Sequence, residues 1–94
     1  MYLIRNTFAA KPGQAGKLAN QLKEMVSIGK LRNSRILTDV SGDFNTVVME
    51  HEMETLAEWE SLMERYRTDP QIRSLAAGYL DLWTAGKREL YKIA

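Results

Sequence analysis

The sequence contains no cysteine. That absence excludes disulfide staples, thiol nucleophiles and cysteine-rich zinc sites together, and it leads us to expect a reducing, cytoplasmic setting. Net charge is almost absent as well: 13 basic residues against 12 acidic ones leave +1. No global field therefore draws the chain to nucleic acid or to anionic lipid. No apolar run approaches the ~20 residues of a membrane-spanning helix, and the N-terminus carries no signal-peptide pattern. No Gly-x-Gly-x-x-Gly or phosphate loop occurs, so nucleotide chemistry has no foothold. Histidine occurs once and proline twice. What is there is ordinary for a globular protein: 94 residues, 45% hydrophobic and 27% charged. Residues 1–94 are expected to form one domain with one core, burying roughly 60–65% of the unfolded surface.

Charge is unevenly placed. Residues 1–38 carry seven basic groups and one acid, Glu24, whereas residues 39–70 carry nine acids against Arg65 and Arg67. A basic half folding against an acidic half accounts for this, because no uninterrupted basic cluster exists to grip nucleic acid.

Residues 2–8 alternate and are rich in β-branched and aromatic types, which predicts a first strand. Lys11-Pro12-Gly13 breaks it. Ala15, Leu18, Ala19, Leu22, Met25 and Val26 then recur at helical spacing, predicting a helix over 13–28 with Gly29 as its stop. A second strand follows at 34–40, a turn at Ser41-Gly42-Asp43, and a third strand at 44–53. Thr55-Leu56-Ala57-Glu58 is a capping-box pattern opening a helix whose stripe is Leu56, Trp59, Leu62, Met63 and Tyr66. Asp69-Pro70 restarts the chain as an N-cap followed by proline. One last helix is expected to carry Ile72, Leu75, Ala76, Tyr79, Leu82 and Trp83. Thr84-Ala85-Gly86 then turns into a closing strand over 87–93. Right-handed crossovers convert this order, β-α-β-β-α-(α)-β, into an α+β fold of the ferredoxin-like kind. Its four-stranded antiparallel sheet has the first and third strands at its centre.

Strand parity sorts the sheet into two faces. One set, mostly apolar, reads Ile4, Asn6, Phe8, Ile36, Val40, Val47, Met49, His51, Met53, Tyr91 and Ile93, and it should lie under the helices. The other mixes Leu3, Leu37, Val48 and Leu90 with Arg5, Arg35, Glu50, Glu52, Arg88 and Lys92. Arg5 is expected to pair with Glu50 or Glu52 across the strands. Neither a fully solvated nor a fully buried face suits that mixture. A second copy laid face to face satisfies both, so a homodimer is expected.

In this order, Arg5-Asn6-Thr7-Phe8, Lys11-Pro12-Gly13, Glu58-Trp59-Glu60, Asp69-Pro70 and Gly86-Lys87-Arg88-Glu89-Leu90-Tyr91 make the chain resemble the dimeric α/β-barrel superfamily. That superfamily includes antibiotic-biosynthesis-monooxygenase-like and NIPSNAP-like proteins, and the latter look more similar. The resemblance spans essentially the whole chain. It implies homodimers whose sheets face one another, each subunit with a small pocket between sheet and helices. It also implies monooxygenases that need neither metal nor flavin. Haem-degrading relatives use a first-strand asparagine with a tryptophan and a histidine on the second helix. Asn6 matches the first and Trp59 loosely the second, but no histidine follows His51, so the haem ligand is missing.

Asn6 and His51 are the clearly polar large side chains of the helix-facing set. An amide and an imidazole in an apolar pocket can hold a phenolic or quinone oxygen and manage one proton, so these two are the candidate catalytic residues. Phe8, Met49, Trp59, Tyr66 and Tyr91 are the candidate ligand lining. Glu50-His51-Glu52-Met53-Glu54 alternates faces, so its ligands diverge and no metal is expected. No cofactor is expected. Two functions stand side by side: a NIPSNAP-like domain holding a small apolar or aromatic metabolite, or a cofactor-independent monooxygenase or isomerase acting on a phenolic or quinol-type substrate.

Overall fold

The computed structural model describes every residue, Met1–Ala94. The elements run β1 (Tyr2–Ala10), α1 (Ala15–Gly29), β2 (Arg32–Thr38), β3 (Thr46–Met53), α2 (Leu56–Thr68) and α3 (Pro70–Ala76). A 3-10 turn, Tyr79–Leu82, and then β4 (Trp83–Lys92) complete the chain. The strand order β2-β3-β1-β4, antiparallel throughout, puts β1 and β3 at the centre as the right-handed crossovers require. This is the ferredoxin-like arrangement. The molecule is only 19 Å thick along its shortest axis, which is two layers.

The helices share one face of the sheet. Leu18, Leu22 and Met25 of α1 pack on Phe8, Val47 and Met49, while Leu62 of α2 closes on Ile4 and Met53. Each large apolar side chain sealed here contributes about 1.5–3 kcal/mol. Leu56, expected on the α2 stripe, is exposed instead. Thr55 caps α2 by accepting from the Glu58 amide at 3.2 Å, and Glu58 reaches back to the Glu54 amide. Asp69 caps α3 by accepting from the Gln71 amide at 2.9 Å, with Pro70 at the first helical position.

The structure corrects several sequence expectations. Gly29 is the last helical residue of α1, and the left-handed cap is Lys30, at φ 53°. The link between β2 and β3 spans 39–45, not three residues. Asp39 accepts from the Thr46 amide at 2.9 Å and Asn45 turns left-handed, so Val40 and Phe44 leave the sheet and stand in solvent. The last helix breaks at Gly78, whose φ of 83° no helix tolerates. Trp83 therefore opens a strand, and Thr84-Ala85-Gly86 belongs to β4 rather than to a turn.

The largest correction concerns the face of β4. Its register pairs Gly86 with Phe8, Arg88 with Asn6, Leu90 with Ile4 and Tyr91 with Leu3. Arg88, Leu90 and Lys92 thus share the helix side, while Tyr91 and Ile93 lie on the uncovered face. A register irregularity at Ala9/Ala10 breaks this parity at the start of β4, so that Trp83, opposite Ala10, joins Gly86 and Arg88 on the helix side. On the uncovered face Glu50 accepts from Arg5 Nε at 2.6 Å and from Arg35 Nε at 2.8 Å. Arg5 meets Glu50 as expected, while the Glu52 carboxylate takes a hydrogen bond from Asn33.

Candidate functional site

Asn6 sits mid-way along β1, with Met49 of β3 opposite it on one side and Arg88 of β4 on the other. Its side-chain oxygen accepts a hydrogen bond from Arg88 Nε at 2.9 Å. The Arg88 guanidinium also lies over the Trp59 ring of α2, 6.0 Å from its centroid. Two fixed partners therefore aim a cation that has no carboxylate within ion-pair distance. Two places along β3 from Met49, His51 stands opposite Ile4 and is only 2% exposed. Its Nδ1 has no hydrogen-bond partner. Burial first, and then the Arg88 charge, push its pKa below the ordinary histidine value.

These groups floor a cavity of about 420 Å³ between the sheet and the helices. Leu22, Met25, Met63 and Tyr66 roof it, and Ile72, Ala76, Tyr79 and Leu80 close its far side. Phe8 and Trp83 meet edge to face with centroids 5.2 Å apart, and Tyr79 stands perpendicular to Phe8 at 6.3 Å. Gly86 makes this stacking feasible. A Cβ there would fall 3.2 Å from the Trp83 ring and 3.5 Å from Phe8. The cavity opens along the β4 edge, where Leu80, Gly86, Lys87 and Arg88 are exposed. Burial pushes the Tyr66 and Tyr79 phenols up, so both stay protonated donors at neutral pH. The Tyr66 hydroxyl and the Trp83 indole N–H are buried without a partner.

Of the residues picked out from sequence, Asn6, His51, Phe8, Met49 and Tyr66 all line this one cavity. Trp59 lies outside the wall and acts on it only through Arg88. Tyr91 does not belong to it. It is on the opposite face, under the Arg5 guanidinium at 5.5 Å and bonded to Glu89. Arg88 and Trp83 were misplaced: the sequence puts Arg88 on the uncovered face, where with Arg5 and Lys92 it reads as an anion binder, and Trp83 on a helix stripe. The signal for both was Gly86, a residue with no side chain opposite Phe8, where only an aromatic crossing from the same strand fills the gap. No group of three histidine, aspartate or glutamate side chains is placed to hold a metal ion.

No family model matches the sequence, and no curated protein matches it. Solved structures do. An uncharacterised NIPSNAP domain protein from Burkholderia xenovorans superposes with a TM-score of 0.84 at 18% identity, covering 100% of this chain and 95% of that one. A NIPSNAP family protein of unknown function from Agrobacterium tumefaciens gives 0.85 at 17% identity, covering 100% and 88%. The chain has the NIPSNAP-domain fold. A candidate antibiotic biosynthesis monooxygenase from Chloroflexus aurantiacus shares it more distantly, at a TM-score of 0.76 and 16% identity over 99% and 92%. At these identities the likeness carries the fold alone, and fold does not fix activity. Within the NIPSNAP-like frame the chemistry must be argued from the cavity of this chain. No helix is long and apolar enough to cross a membrane.

Proposed function

We propose that this chain is a small homodimeric NIPSNAP-like domain that binds a small apolar or aromatic metabolite between its sheet and its helices. The observation that carries this reading is the cavity of about 420 Å³, lined mainly by apolar and aromatic groups with Asn6, His51 and Arg88 converging on its floor. A cavity of that size falls in the range of small-molecule sites, about 300–1,000 Å³, and has their usual mixture of lining. A thermal-shift screen of small aromatic compounds tests it. At least one should raise the melting temperature in a concentration-dependent way. Ala76→Phe, which fills the cavity from α3, should abolish that effect while the variant still unfolds cooperatively. No responding compound, or a response indifferent to Ala76→Phe, overturns the reading.

The orphaned imidazole favours a second reading, a cofactor-independent monooxygenase or isomerase acting on a phenolic or quinol-type substrate. A buried, neutral His51 is a proton acceptor, and Arg88 beside it stabilises the anion left behind. Returning the proton elsewhere on the carbon frame is isomerisation. Alternatively the carbanion passes its electron pair to dioxygen, forming a C–O bond and a peroxide anion that takes back the proton held on His51. The hydroperoxide then loses water, together with the hydrogen left on that carbon, to leave a carbonyl. Oxygen uptake on quinol-type compounds, abolished in His51→Gln, separates this reading from binding alone.

A further inference from the structure

We infer that the occupant of the cavity is an anion, an aromatic or alicyclic carboxylic acid whose carboxylate meets Arg88 and whose ring lies among the aromatic groups. This rests on the binding reading above and names the ligand class that reading leaves open. The cavity is lined without a single aspartate or glutamate. Its polar pole is almost wholly made of donors. Arg88 spends only its Nε, on Asn6, so its two terminal amino groups bond nothing in the protein and it has no acidic partner. The other arginines of the sheet each have a carboxylate partner, Arg5 and Arg35 sharing Glu50 and Arg32 meeting Glu54.

Two further donors point to the same conclusion. Tyr66 and Trp83 line the cavity, and behind its surface the Tyr66 hydroxyl and the Trp83 indole N–H are buried with no partner in the protein. A buried donor left unpaired costs about 1–3 kcal/mol, so such groups are ordinarily met by something. A hydrocarbon or a ligand of donors alone would leave all of them unmet. An oxyanion at the Arg88 fork supplies an acceptor to a lining that has no carboxylate of its own. Geometry narrows the class. The guanidinium is held at its Nε by Asn6, with its carbon 6.0 Å from the Trp59 ring centroid, and its two terminal amino groups form a planar fork that matches a carboxylate. Lys87 borders the mouth but has the parity of the uncovered face and lies 3.7 Å from Glu89, so the site offers one free positive charge, that of Arg88. A monoanion fits that; a phosphate dianion does not. The walls of Phe8, Met49 and Trp83 take the ring.

The test compares 2-naphthoate with its neutral isostere 2-naphthalenemethanol, and with 2-naphthyl phosphate, by titration of the full chain with calorimetry. The acid should bind about tenfold or more tightly than the alcohol, as a hydrogen bond to a charged group provides. It should also exceed the phosphate, and weaken as salt rises. In Arg88→Gln that advantage should vanish while the alcohol still binds, which also certifies that the variant is folded. Arg35→Gln, on the other face, should bind all three as the wild type does. If alcohol and acid bind equally, the cavity is a binding site but its ligand is not an anion, and the inference falls while the binding reading stands. A preference for the phosphate likewise overturns the carboxylate assignment. If none of the three binds, both fall together.

Discussion

His51 and Arg88 constrain each other more tightly than either does alone. The imidazole is the single histidine of the chain, is 2% exposed and shares its cavity with an unpaired guanidinium. Burial and then that cation hold its pKa below the ordinary 6.5. The folded protein therefore binds fewer protons than the unfolded chain once pH drops below about 6.5. Stability is full above that value and declines as pH falls, by at most about 1.4 kcal/mol per unit, until the folded imidazole itself takes a proton. The tyrosines of the same cavity, Tyr66 and Tyr79, do not titrate in this window, because burial pushes both up. Glu50 does not confuse it either. Desolvation would raise that carboxylate, but the hydrogen bonds from Arg5 and Arg35 prevail and hold it below 4.5, so its loss belongs to stronger acid. Urea denaturation at about pH 7 and about pH 5.5 should show a larger drop for the wild type than for His51→Gln. Equal drops would mean that the imidazole is already charged, or solvated, in the fold.

Among the elements, α1 ends on a conformation its sequence does not favour. Lys30 occupies the left-handed region at φ 53°, and its amide bonds back to the Ser27 and Val26 carbonyls. A side chain there costs about 1–2 kcal/mol, part of which glycine returns as unfolded-state freedom. Lys30→Gly should therefore stabilise by about 0.5–1 kcal/mol and raise the melting temperature by roughly 2–8 °C. A lower melting temperature would show that the lysine side chain contributes more than its backbone strain removes. The same element explains what the sequence could and could not disclose. Gly29 drew the helix stop to itself, yet it is helical and buried, a Cβ there would meet only the Leu31 side chain at an ordinary 3.4 Å, and the turn falls to Lys30. The order of elements, the central strands and the face presented by Asn6 and His51 were all legible, because every second residue from Ile4 to Ala10 and from Val47 to Met53 is buried under the helices, with Glu50 buried on the other face under its arginines. β4 was not legible. An edge strand this exposed carries Leu90 on one face and Tyr91 on the other, at 38% and 44% exposure, so apolar parity cannot say which side is in. Only its register against β1 decides, and with it went Arg88, the cation of the cavity.

At the scale of the molecule, a two-layer slab leaves one sheet face without cover. Leu3, Val48, Leu37 and Tyr91 lie on it, the last two at 40% and 44% exposure. Its charges differ from the sequence expectation, since Arg88 and Lys92 are on the helix side and cannot reach a partner's glutamates across this face. What remains is already balanced. Arg5, Arg35 and Lys87 stand with Glu50, Glu52 and Glu89, and Glu50 is 3% exposed under its two arginines. That balance matters for assembly. Burying a charge already paired and hydrogen-bonded costs far less than burying one that must find its partner across the interface. In the proposed homodimer a two-fold axis parallel to the sheet, in the plane between the two copies, would lay this neutral, partly aliphatic surface on its own copy. Such an interface should bury more than about 1,200 Å² in total. Sedimentation equilibrium at micromolar concentration should then report a species of twice 10.8 kDa. Val48→Lys, which places an unpaired charge at the centre of the face, should shift it to the protomer mass without unfolding it, because Val48 takes no part in the core under the helices. A wild type that sediments near 10.8 kDa would overturn the homodimer and leave the cavity as a property of the isolated chain.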